Sequence, residues 1–284
     1  MNEFPRTVVG GVSLPRMIVG TNWFMGYSHT SLAKDNFIRE RQTRERIADV
    51  LEVFLEAGID AIMGGQTRLL GEAVQEAQER TGKRMILILT PSFNLVPHEN
   101  GNGGHGLWDS EPEEAFDVCK QMGATFCFPH QQVIDALVDR RAGIIRDLDH
   151  YTAMIRERGM IPGLSTHMPE SVVYADRQGA DVASYIQIYN AAGFLMQVEV
   201  DWVMRIIRDA QQPVMTIKPM AAGRLIPAVG LAFAWNTIRD QDMVTVGTTT
   251  PDEARECIDL SLDFLSRRMP DNALQTTRSK RSLM

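Results

Sequence analysis

Eight short apolar runs punctuate the chain, with longer amphipathic stretches between them. This alternation limits the possible folds more than any other feature. The runs are Met17–Gly20, 61–63, 85–89, 125–128, 160–164, 185–189, Val214–Ile217 and Met243–Val246. Several are rich in Ile, Val or Phe, the pattern of strands buried on both faces of a parallel sheet. Between them, residues 44–57 place Ile47, Val50, Leu51, Phe54 and Leu55 at helical spacing. Residues 69–80, 171–178, 198–210 and Pro251–Leu265 read as further helices. Gly58, Gly82, Gly123, Gly159 and Gly179 each follow a helical stretch, where a left-handed terminator belongs. Thr250-Pro251-Asp252-Glu253 predicts a capped helix start with a capping box, and Ser110-Glu111-Pro112-Glu113 predicts another with acids in its first turn.

Eight strands in 284 residues allow about 35 residues per unit, which suits an α/β fold closed as a single eight-stranded (β/α)8 TIM barrel. A doubly wound sheet also alternates strand and helix, but no second-domain break is visible. Residues 7–14 predict an N-terminal β-hairpin on a Gly10-Gly11 turn that plugs one end of the barrel. The barrel is expected over residues 1–267 and a mobile basic tail over 268–284.

Composition then narrows the setting. A net charge of −7 argues against a nucleic-acid partner. The three cysteines, Cys119, Cys127 and Cys257, form neither a disulfide framework nor a Cys-x-x-Cys metal motif, as in a reducing compartment. Residues 1–6 lack a basic region leading into an apolar one, and no apolar run is long enough to span a bilayer. A cytoplasmic enzyme with a small-molecule substrate and no membrane contact is expected.

In such barrels the active site lies at the carboxyl ends of the strands. Five of the six histidines map there: His29 after the first run, His98 and His105 after the third, His130 after the fourth and His167 after the fifth. Only His150 sits inside a helical stretch. The loop over 91–110 is long, with Gly101, Gly103, Gly104 and Gly106, and is expected to act as a lid carrying His98, His105 and Trp108 onto a ligand. Asn22 and Trp23, just past the first run, are further candidate substrate contacts. Lys218 ends the seventh run, where a lysine can form a Schiff base, bind a phosphate or pair with a carboxylate. Gly223 and Arg224 after it, and Gly247, Thr248 and Thr249 after the eighth run, have the character of phosphate-binding loops.

These segments, in this order, resemble the aldo/keto reductase superfamily. The resemblance runs from the hairpin to Leu265. It rests on residues 12–23, 57–60, 69–73, Gly163-Leu164-Ser165-Thr166-His167, Gln187-Ile188-Tyr189-Asn190 (similar to the family's Q-x-x-Y-N strand), 218–223 and 247–251. It implies NADP or NAD across the carboxyl end of the barrel, with Ser165, Gln187 and Lys218 among its contacts. It also implies carbonyl reduction by an Asp, Tyr, Lys, His tetrad. Here the Asp position falls on Met63, the Tyr segment is Gly64-Gly65-Gln66-Thr67-Arg68, and the Lys position falls near Leu89 or Thr90. Only His130 matches. The family's Arg and Asn in the last helix fall near Glu253 and Cys257, and a glutamate repels a 2′-phosphate.

Three functions follow as expectations. The first is an oxidoreductase on a small carbonyl or hydroxy compound, with His130 as proton donor and Lys218 or His167 orienting substrate or cofactor. The second is a non-redox hydrolase, lyase or isomerase, with a metal ion on His130 and His167. The third is a non-catalytic ligand-binding barrel.

Overall fold

The structure, a computed structural model, describes residues 3–95, 110–270 and 277–281. All eight expected runs form strands, and neighbouring strands pair in parallel around one closed barrel. In chain order they are Met17–Gly20, Ala61–Gly64, Ile86–Leu89, Phe126–Cys127, a divided fifth strand, Tyr185–Ile188, Val214–Ile217 and Met243–Val246. Register joins the eighth to the first through Val244 and Met17.

The fifth strand departs from the expected run over 160–164. It splits into Ile161–Pro162, which pairs with the fourth strand, and Leu164–Thr166, which pairs with the sixth. Gly163 sits at the break. A Cβ there would lie 2.3 Å from the Phe128 ring, so only glycine lets the chain pass that ring.

Two apolar layers result. Ile18, Ala61, Ile88, Phe126, Ile186 and Met215 fill the barrel interior. A larger layer joins the outer faces of the strands to the helices, with Ile47, Val50, Leu51 and Phe54 of helix Arg44–Glu56 in it. Burying each such side chain contributes roughly 1.5–3 kcal/mol. The hairpin Arg6–Val9/Val12–Pro15 closes the amino end, with Val9 and Leu14 fully buried in the interior cluster. Gly10 and Gly11 both take positive φ, which this two-residue turn needs.

The five terminator glycines all adopt left-handed φ, between 65° and 81°. Thr250 caps helix Pro251–Leu265 by accepting from the Glu253 N–H at 3.2 Å. The expected reciprocal bond differs: the Glu253 carboxylate takes the N–H and hydroxyl of Thr249, each at 2.7 Å. Helix Leu32–Arg41 and the small ladder Val138–Asp139/Ile144–Ile145 were not expected from the sequence. Among the described residues no helix is long and apolar enough to cross a membrane.

Candidate active site

His130 follows the fourth strand and caps helix Gln131–Leu137, its Nδ1 accepting from the Gln132 N–H at 3.3 Å. That contact requires a lone pair on Nδ1, so the neutral ring is assigned its proton on Nε2. Burial, and then the charge of Lys218, pushes the His130 pKa down to about 4. The ring is therefore neutral near pH 7.

His167 follows the second half of the fifth strand. Its N–H donates to both oxygens of Asp135, at 3.3 and 3.2 Å. Asp135 also accepts from the Thr166 hydroxyl at 2.6 Å, and Thr166 in turn accepts from the Met168 N–H at 2.9 Å. Asp135 lies on the same short helix that His130 caps, so one helix holds the backbone of one histidine loop and begins with the other histidine. Burial pushes the Asp135 carboxyl up to about 6 against the pull of these hydrogen bonds. Burial also pushes His167 down to about 3, helped by Lys218, His130 and His29.

Lys218 follows the seventh strand with φ of 61°. Ala221 and Ala222 are left-handed as well, at 50° and 55°. Such non-glycine conformations cost about 1 kcal/mol or more each and cluster at functional sites. The tight path lets helix Pro227–Thr237 come close: a Cβ on Gly230 would lie 2.7 Å from the Pro219 carbonyl. Among the described residues the Lys218 ammonium makes no hydrogen bond or ion pair, and burial pushes its pKa down to about 8.

The other candidates fall around this centre. His29 is exposed, with its Nε2 3.3 Å from the Asn22 amide nitrogen. Trp23 lies over the eighth-strand loop, its Cδ1 2.8 Å from where a Gly247 Cβ would be. Arg224 does not point freely at a ligand: its guanidinium sits 3.9 Å from the Phe194 ring centroid and donates to the carbonyls of Ala221 and His29. Gly223 closes the short helical turn Ala221–Gly223. Thr248 is buried and its hydroxyl has no hydrogen-bond partner among the described residues, while Thr249 is tied to Glu253.

Ser165 and Gln187 part company. Ser165 pairs in register with Ile186, which faces the interior. Gln187 pairs with Thr166 and Thr216 on the opposite face, turned toward the helices. Tyr189 lies on that outer face too, donating to Thr237 at 2.9 Å. Gln187 is two residues before it, so strand alternation carries both outward. The family's strand has one more residue between its Gln and Tyr. His98, His105 and Trp108 lie outside the described residues. The two ends of their loop meet where the Asn94 N–H donates to the Ser110 carbonyl at 2.9 Å.

Among the described residues no group of three His, Cys, Asp or Glu side chains is placed to hold a metal ion. All three cysteines are free and buried. Sequence reasoning missed Asp135. Its signal was an acid in a seven-residue helix directly after the fourth strand end, next in sequence to the buried Ile134.

No protein-family profile matches the sequence, and neither does any curated protein. Solved structures do. A reductase-type protein from Pseudomonas aeruginosa superposes with a TM-score of 0.63 at 14% identity, covering 92% of this chain and 95% of that one. The fold is that of the aldo-keto reductases. A glycerol dehydrogenase from Gluconobacter oxydans gives 0.56 at 14% identity, over 96% and 98% of the two chains. An aldo-keto reductase from Bacillus halodurans, in its holo form, gives 0.55 at 14% identity, over 99% and 95%.

The positions that the sequence resemblance assigns to the tetrad fall as follows in the structure. Met63 lies in the apolar barrel interior. Leu89 packs in the outer layer, and the Thr90 N–H donates to the Gly64 carbonyl at 2.8 Å. His130, at the position that the resemblance matches, carries an imidazole at the end of the fourth strand.

Proposed function

We propose that this chain is a divergent member of the aldo-keto reductases, interconverting a small carbonyl compound and its alcohol with a nicotinamide dinucleotide. The observation that carries the reading is the trio at the barrel mouth: Lys218, His130 and His167 on three strand ends, in a fold shared with reductases and a dehydrogenase.

The nucleotide side supports this in part. The buried, unpartnered Thr248 hydroxyl is an orphan that a ligand would satisfy. Ser165, facing the interior, is a second donor. The 2′-phosphate is a poorer match. Glu253 occupies Thr249, and Arg255, the nearby cation, pairs with Asp252 at 2.8 Å. NAD(H) therefore fits better than NADP(H), with Thr248 and Ser165 among its contacts. When bound, the dinucleotide would supply or accept hydride.

The protein's own part is the proton and the polarisation. The sequence pointed to His130 as proton donor. With its pKa near 4 it is a neutral imidazole, suited to donating an Nε2 hydrogen bond to the substrate oxygen, as neutral histidines elsewhere do. Lys218, with its pKa near 8, is the group able to give up a proton near neutrality and take it back in the reverse direction. It fills the role of the absent tyrosine. His167 supports the pocket wall, fixed through its backbone by Asp135.

Fluorescence titration with NADH and NADPH tests this. Binding of NADH, tighter than that of NADPH, is the expected result. Failure of both to bind at millimolar concentration overturns it.

A further inference from the structure

A buried charge in a folded protein is ordinarily paired. Lys218 is the exception among the described residues of this barrel: its ammonium is largely buried and meets no carboxylate. Among the described residues, two acids close to these histidines are already engaged. Asp35 accepts from the N–H and hydroxyl of Ser28, at 2.8 and 2.6 Å. Asp135 is held by Thr166 and His167.

The place of the ammonium follows from what feels its charge. His29 follows the first strand, His130 the fourth and His167 the fifth, and all three are acted on by Lys218. In the barrel order the seventh strand neighbours only the sixth and eighth. A group on its end whose charge is felt at the first, fourth and fifth strand loops faces the mouth that those loops share. It is a cation at the strand-end mouth that His130 and His167 also border, in a chain of net charge −7.

We propose that the substrate of this site is a small 2-oxo acid (or its 2-hydroxy partner), whose carboxylate is the missing counter-ion of Lys218. In such a compound the carboxylate and carbonyl oxygens sit on adjacent carbons. An ammonium with three N–H donors can hold one of each, and the His130 Nε2–H reaches the carbonyl oxygen from the other side. One lysine thus recognises the acid and serves the reacting oxygen. In reduction, hydride adds to the carbonyl carbon, the C=O π pair moves to oxygen, and that oxygen takes a proton from the ammonium. The amine then regains a proton from solvent. This specificity rests on the oxidoreductase reading of the same site.

Calorimetric titration with oxamate, an unreactive carboxylate analogue, and with its neutral methyl ester tests the inference without turnover. NADH is titrated in parallel. Wild type should bind oxamate at least about tenfold more tightly than the ester. Lys218→Gln should lose about that factor, and Lys218→Arg should keep most of it. Equal binding of acid and ester, or oxamate binding unchanged in Lys218→Gln, overturns the proposal. If Lys218→Gln fails to fold, the acid–ester comparison on wild type and Lys218→Arg still decides. NADH affinity lost in Lys218→Gln, with no oxamate binding to wild type, assigns the ammonium to a dinucleotide phosphate. That result overturns the 2-oxo acid proposal and leaves the oxidoreductase reading standing. Oxamate binding without NADH or NADPH binding does the reverse.

Discussion

The carboxylate of Asp135 holds the main-chain N–H of His167, with Oδ2 at 3.2 Å, and so ties the helix after the fourth strand to the loop after the fifth. Burial raises this carboxyl from 3.8 to about 6. A carboxyl raised in the folded state binds its proton more tightly there than in the unfolded chain. Folding stability attributable to it is therefore greatest below pH 3.8 and falls as pH rises to about 6. Denaturant unfolding across that window should show the decline in wild type and its absence in Asp135→Asn. Parallel pH profiles for the two would refute it.

In the proposed reduction Lys218 must be protonated to act. With its pKa near 8, kcat/KM for reduction should fall as pH rises through about 8, and the oxidising direction should gain over the same range. In Lys218→Met that limb should vanish along with a loss of about a hundredfold in rate. A limb that persists in the variant would place the titrating group elsewhere.

Gly163→Ala asks for a methyl where the Phe128 ring already sits 2.3 Å away. Backbone or ring must shift, at a cost of roughly 1–3 kcal/mol. Urea unfolding should show a lower midpoint with an unchanged slope. A variant as stable as wild type would mean that the divided strand is not set by that ring.

Leu14→Ala removes a fully buried side chain from the hairpin that seals the barrel floor. A loss of about 2–5 kcal/mol is expected, with binding at the opposite end little changed. A loss well under 1 kcal/mol would show that the hairpin is dispensable for stability.

The barrel was readable because its evidence is local. Each parallel strand, buried on both faces, announces itself as an apolar run, and each helix end carries its own glycine. The break in the fifth strand was not readable. It depends on Phe128, just past the end of the adjacent strand, occupying the space beside Gly163. Of the candidate site, the strand-end placement was legible. Strand-end positions located His130, His167 and Lys218 without knowledge of their surroundings. Their protonation was hidden, because burial and mutual charge exist only once the strands close. Gln187 shows the opposite failure. A motif match suggested a ligand contact, and simple alternation from Tyr189 turns the side chain to the helices.

The sealed floor has a kinetic meaning. With Val9 and Leu14 stoppering the amino end of an interior already filled by side chains, ligands of the proposed oxidoreductase would enter only from the carboxyl end. Whatever binds deepest must arrive first and leave last. Were the proposed dinucleotide and substrate to share that end, they would bind in a fixed order, and product inhibition patterns should carry that order.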